Sequence, residues 1–417
     1  MDFCRKNVYD CGYCKGISKG GDNMTAFFLA PIYIIVNIYI FMRITGWLKT
    51  GFPVLGTRRG IVLSAAVYSF FAVSFLTAFL MPEGTVQRSM KLLGNYWLGV
   101  LLYMIFVIVV ADIVRLVLLH ILHIEREKLC NPKMRRIAGR LCAALILAVS
   151  VCGVINAGIV RTTPYEITID KRAGDLESIK VVLAADTHLG YNIGVRQMEK
   201  MVEKINEQDA DLVVIAGDIF DNEWKAVEKP DELARILRGI HSKYGVYACY
   251  GNHDIEEPIL AGFTFGSDEN KSSHHEMDDF LEDAGIHLLR DEGVLIDNAF
   301  YLYGRPDALR SGTQRLAASE ITKAMDLEKP VFVIDHQPRE LEELAAAGVD
   351  ADLCGHTHDG QMFPGNLLMK FLWENSYGYL QVGSMHNIVT SGVGLFGPNM
   401  RVATKAEICP ITVNFGE

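Results

Sequence analysis

The chain has no internal repeat and no long low-complexity tract, which sets aside repeat arrays and linker-like segments. Its nine cysteines make no disulfide framework. Cys11 and Cys14, with Cys4 nearby, have the spacing of a redox or metal pair. A zinc site of that kind needs a second close pair, and the sequence has none, so these residues read as an uncommitted tail. Cys142 and Cys152 fall in an apolar run, while Cys249 and Cys354 end apolar runs and read as small fillers. An excess of basic charge is missing too: 40 Lys+Arg stand against 50 Asp+Glu, a net charge of −10. That balance argues against a nonspecific nucleic-acid binder, which must neutralise phosphates.

What is abundant is apolar residues, at 50%, and the excess lies in the first 160 positions. Residues 26–42, 61–81, 97–121 and 137–160 are long apolar runs. A membrane span needs about 20 such residues (~17–25), so four transmembrane helices are expected. Helices buried in a soluble domain keep a polar face, and these do not. A cleaved signal peptide is a poor fit, because the first run is too long and others follow. Asp112 and Arg115, three apart in the third run, are expected to pair with each other. Charge divides at the end of this region. Residues 1–172 hold 20 Lys+Arg and 9 Asp+Glu, leaving 20 and 41 for the remainder. The two loops that would lie opposite the C-terminal domain are short and dense in Lys and Arg, which places that domain outside the cytoplasm.

Five blocks in the second half each set a metal ligand or catalytic candidate after an apolar run. They are Asp186-Thr187-His188, Gly217-Asp218, Gly251-Asn252-His253-Asp254, Asp335-His336 and Gly355-His356-Thr357-His358. The preceding runs read as buried strands, and helix-period segments alternate with them, which predicts an α/β domain. Ligands at strand ends then converge on one edge of the sheet. Asp and Asn oxygens suit hard cations and imidazole suits borderline ones, so the set fits two neighbouring divalent metals.

The order and spacing of the five blocks resemble the calcineurin-like metallophosphoesterases over roughly residues 175–417. The terminal stretch Thr390–Gly394 with Arg401 looks like the membrane-associated bacterial phosphodiesterase-like branch. The resemblance implies a two-sheet sandwich flanked by helices. It divides the chain into a polar tail (1–24), an all-α four-helix transmembrane region (25–160), a linker (161–174) and a catalytic domain (175–417). It implies Asp186, His188, Asp218 and His358 on one metal, with Asp218 bridging to a second that also takes Asn252, His336 and His356. His253 matches the proton donor to the leaving group, with Asp254 orienting its ring. The implied activity is hydrolysis of phosphate mono- or diesters by a metal-activated hydroxide. The metals are Mn, Fe or Zn, with Mn preferred. Membrane attachment points to a lipid-linked or cell-envelope substrate, and no nucleic acid is expected.

Other residues read differently. Arg305, before Pro306-Asp307, is a strand-to-turn corner before it is a phosphate contact, and Asp335 takes no role. His274 and His275 have no ligand-like spacing, and His386 stands out only for its nearness to the last block. The polar stretch 266–276 is expected as an exposed loop near the site. A rival reading makes the chain a non-catalytic membrane sensor or scaffold that keeps the fold; the complete ligand set argues against it. A second makes the four helices a transporter or partner-binding module, with Asp112 and Arg115 as its local support.

Overall fold

The computed structural model describes residues 21–256, 259–260, 263–264, 275–307 and 315–416, and side chains from residue 31 onward. Cys4, Cys11, Cys14, His274 and most of the 266–276 stretch lie outside the described residues.

The N-terminal region is helical: α1 (Gly21–Gly51), α2 (Arg58–Ala72), α3 (Ser74–Leu80), α4 (Thr85–His120) and α5 (Pro132–Ala157). Three of these, α1, α4 and α5, are long and apolar enough to cross a membrane. The second expected span is instead two helices bent by 53° between α2 and α3. The bend has a local cause. Ser74 Oγ donates to Phe71 O at 2.7 Å, and Thr77 Oγ1 donates to Val73 O and Ser74 O, competing with the helical ladder there. The fourth span ends at Ala157, because Val160 already belongs to a strand.

Residues 161–174, expected as a linker, carry sheet structure. Strands β1 (Val160–Thr162) and β2 (Tyr165–Ile169) both pair in parallel with the last strand of the chain. The elements that follow are β3 (Ser178–Ala184), α6 (Val195–Asn206), β4 (Leu212–Ala216), α7 (Pro230–Leu237), β5 (Val246–Cys249), α8 (His275–Asp283), β6 (Ile286–Leu288), β7 (Glu292–Ile296), β8 (Phe300–Gly304) and β9 (Val331–Ile334). After them come α9 (Leu341–Ala346), β10 (Ala351–Cys354), α10 (Gly365–Leu372), β11 (Gly378–Val382), β12 (Met385–Val389) and β13 (Ala406–Phe415).

Two sheets form. One runs β1-β13-β3-β4-β5-β6 with β2 also on β13; the other runs β11-β12-β10-β9-β8-β7. Both are parallel at their centres (β3-β4-β5-β6 and β8-β9-β10-β12), so their strands are buried on both faces and read as continuous apolar runs. Leu183, Leu212 and Val214 of one sheet meet Phe300, Phe332, Ile334 and Leu353 of the other in a shared core. Helices α6, α7 and α8 cover the outer face of the first sheet through Met198, Met201, Leu233, Leu237 and Phe280. Leu341 and Leu344 of α9 cover the second. The two-sheet α/β sandwich is therefore present, and every parallel strand that precedes a candidate block ends at the same edge.

Candidate metal centre

Each block sits in the loop just beyond a strand end: Asp186 and His188 after β3, Asp218 after β4, Asn252 and His253 after β5, His336 after β9, His356 and His358 after β10. Three of these strands (β3, β4 and β5) come from one sheet and two (β9 and β10) from the other, so the site lies across the sandwich edge. The loops leave the strands by sharp turns. Asp186, His188, Asp218, His356 and His358 all have positive φ, between 44° and 73°, a region that Asp and His tolerate better than branched residues do. Gly251 packs tightly here: a Cβ on it would lie 2.3 Å from Asp218 Oδ1.

The side chains gather in three groups: Asp186 with His188 and His358, Asp218 with His336 and His356, and His188 with Asp221 and His253. Asp218 lies between the first two. Its Oδ2 is 3.1 Å from His336 Nε2 and 3.7 Å from His188 Nε2, while its Oδ1 accepts the His253 N–H at 2.8 Å. Imidazole nitrogens face one another: His188 Nε2 and His358 Nε2 are 3.0 Å apart, and His356 Nδ1 and His336 Nε2 are 3.1 Å apart. Asn252 Oδ1 is buried and has no hydrogen-bond partner. An unpartnered buried oxygen beside converging ring nitrogens and carboxylates fits a pair of cations.

Other groups hold the rings. His336 Nδ1 faces Ala216 O at 2.8 Å, which aims Nε2 at Asp218. The His356 N–H donates to the Asp186 carboxylate. Arg401, wholly buried, places Nη2 3.3 Å from His358 Nδ1 and Nη1 3.4 Å from His358 O, and also donates to Ser391 O and Gly394 O. The electrostatics follow from the burial. Burial raises the Asp186 carboxyl to about 6, with Asp218 adding to the rise and His336 opposing it. Burial would raise Asp218 as well, but His336 and His253 hold it well below the usual carboxylate range. Burial pushes the His356 and His358 rings down, helped respectively by His336 and His188.

Around His253 the structure differs from the sequence reading. Its Nδ1 meets Asn222 Oδ1, whereas the Asp254 oxygens accept backbone N–H groups of Phe220 (2.8 Å) and Gly251 (2.7 Å). Asp254 thus ties two site loops together, and Asn222 is the side chain that faces the ring. Neither Asn222 nor Asp221, whose Oδ1 is 3.6 Å from His188 Nδ1, was expected from sequence. The signal for them is a polar doublet directly after Ile219-Phe220, close behind Asp218.

The remaining candidates fall away. Arg305 and Asp335 are buried and paired with each other at 3.0 Å, and Glu340 and Arg315 complete the cluster, so Arg305 is a structural corner. His386 sits between the Tyr379 hydroxyl and Thr168 O, and exposed His275 opens α8. Asp112 does not pair with Arg115. It contacts Arg43 and Tyr39, and Arg115 reaches Cys130 Sγ.

Comparison with known proteins agrees with this geometry. The sequence model of the calcineurin-like phosphoesterases matches residues 179–360. A metallophosphoesterase of Aquifex aeolicus is 31% identical over 262 residues, covering 61% of this chain and 91% of its own. One from Campylobacter jejuni is 26% identical, covering 92% of this chain and 96% of its own. A zebrafish transmembrane protein with a metallophosphoesterase domain is 25% identical, covering 93% and 88%. With the ligand-bearing loops inside the matched segment, the chain belongs to the calcineurin-like phosphoesterase family.

Proposed function

We propose that this protein is a membrane-anchored, two-metal enzyme that hydrolyses phosphate mono- or diesters. The observation that carries the reading is the pair of ligand groups facing each other across Asp218. In this reading Asp186, His188 and His358 would hold one ion and Asn252, His336 and His356 another, with the Asp218 carboxylate available to both. Such ions would lower the pKa of a bound water to roughly 7 and polarise a phosphoryl oxygen. His253, its ring set by Asn222, supplies a proton to the leaving oxygen. Asp254 serves that step indirectly, by pinning the loops that carry His253 and Asp218. The donor set has oxygen and imidazole and no thiolate, which suits Mn, Fe or Zn, with Mn the first to try. The helices before residue 160 would anchor the domain, and with α2 and α3 together counted as one span the Lys- and Arg-dense short loops favour its lying outside the cytoplasm.

The test is hydrolysis of p-nitrophenyl phosphate and bis-p-nitrophenyl phosphate by the full chain, with Mn and with chelator, alongside metal content by mass spectrometry. The expected result is two ions per chain and turnover that chelator abolishes. His253→Ala keeps its metal and loses about 10²–10⁴-fold in rate, the usual weight of a general acid. Asp218→Asn loses both metal and turnover. Metal bound without turnover on either ester would favour the sensor reading.

A further inference from the structure

Helix α10 (Gly365–Leu372) buries none of its residues, although it is half apolar. Leu367, Leu368, Phe371 and Leu372 are 47%, 58%, 86% and 70% exposed. Their spacing of i, i+1, i+4 and i+5 puts them on one helical stripe. A stripe of this kind on a soluble face is an open hydrophobic patch that needs a cover.

Its position indicates the cover. The catalytic domain packs along α4, starting from Arg88, which donates to Ala226 O at 2.7 Å, and Lys91, which pairs with Glu223 at 2.8 Å. Further along, the Tyr103 hydroxyl donates to Phe363 O at 3.0 Å, and the Phe106 ring meets Phe363 edge-on at 5.5 Å. Beyond that point α4 exposes Val109, Val110, Ile113, Val114 and Leu116, the surface of a helix surrounded by lipid. Phe363 thus packs on α4 just before its run of exposed apolar residues, and α10 begins two residues later. The other end of α10 leads to the metal centre, because Trp373 stacks edge-on against His356, ring centroids 4.9 Å apart.

We propose that α10 lies in the membrane surface with its Leu367/Leu368/Phe371/Leu372 stripe in the lipid, and that it sets the mouth of the metal centre against the leaflet, so that the substrate is a phosphoester carried by an amphiphile in that leaflet. The stripe matches a short interfacial helix, which buries its apolar face to about 5–10 Å at the headgroup boundary. The bilayer crossed by α4 is the occupant, since Phe363, two residues before α10, already packs on Tyr103 and Phe106 of that helix, next to its lipid-type exposed surface. The substrate half of the proposal rests on the phosphoesterase reading; the membrane half does not.

The experiment has two arms on the full chain in phosphatidylcholine/phosphatidylglycerol vesicles. In the first, Phe371 is replaced by p-benzoylphenylalanine and irradiated. Ile113 on α4 is the positive control and exposed Leu327 on the catalytic domain the negative one. A lipid adduct is expected at positions 371 and 113 and not at 327; an adduct at 113 alone overturns the membrane contact. In the second, bis-p-nitrophenyl phosphate in solution is compared with hexadecyl p-nitrophenyl phosphate in the vesicles. The wild type should prefer the alkyl ester by at least about tenfold in kcat/KM, and Phe371→Ser with Leu372→Ser should erase that preference while leaving the soluble ester unchanged. A preference that survives the double substitution, or none in the wild type, overturns the substrate assignment. Failure on both esters with Mn bound overturns the phosphoesterase reading instead, and the crosslink still decides where α10 lies.

Discussion

At the scale of single residues, the candidate metal ligands were readable because their chemistry and spacing are both unusual: His and Asp in short Gly-rich blocks after apolar runs. The groups that hold those ligands were not, because nothing in the spacing of Asn222 or Arg401 marks them. Each makes a separate prediction. Asn222→Ala removes a side-chain partner of His253 Nδ1 and should lower kcat with little change in KM or metal content. An Asn222→Ala enzyme with altered metal content would show instead that Asn222 is structural. Arg401→Met removes the group packed on His358 and should weaken metal binding by about 10–100-fold, measured by Mn titration.

Asp352 gives a pH prediction away from the ligands. Its Oδ1 is buried with no partner, and Oδ2 accepts from Asn387 Nδ2 at 2.9 Å. Burial, aided by the nearby Asp335, raises this carboxyl to about 7. The folded state therefore holds the proton more tightly than the unfolded chain does. Its contribution is complete below the unfolded value and is lost as the pH rises through about 7. Wild-type stability should thus fall relative to Asp352→Asn as the pH rises from about 4 to about 7 and change little above that, by an amount of order a few kcal/mol. Parallel denaturation curves for the two proteins across that range would refute it.

At the scale of elements, the strands were legible and the helix boundaries were not. Parallel strands buried on both faces leave continuous apolar runs, so Val181–Ala184, Leu212–Ala216 and Val331–Ile334 could be located from composition. The second apolar run was equally plain in composition, yet hydroxyl groups at Ser74 and Thr77 break its helix, a backbone competition that hydropathy does not register. Residues 160–169 look like a linker because their pairing partner, β13, lies more than two hundred residues away. Loop shape is likewise hidden in sequence until two loops are seen together. Gly251→Ala would place a Cβ against Asp218 Oδ1 and backbone N, so it should abolish metal binding while leaving the two sheets folded. Circular dichroism alongside metal analysis checks both halves; an alanine variant that binds metal normally would mean the loop yields.

At the scale of the whole molecule, the helices do more than tether. The Arg401 N–H donates to Gly153 O of α5 at 3.0 Å, and Asn156 Nδ2 donates to Arg401 O and Thr404 O. The side chain of the same Arg401 rests on His358, so a candidate membrane-spanning helix grips the segment that supports a candidate metal ligand. Gly153 permits the approach, since a Cβ there would lie 2.7 Å from Val402 Cγ2 and 3.4 Å from Arg401 O. A larger side chain must push that segment away, at about 1–3 kcal/mol for an overpacked contact. Gly153→Leu should therefore lower Mn affinity by about tenfold even though residue 153 touches no ligand. The strain acts through Arg401, so Gly153→Leu combined with Arg401→Met should bind Mn no more weakly than Arg401→Met alone. If the two substitutions instead weaken binding additively, the helix and the metal centre are independent, and the membrane region is an anchor and nothing more.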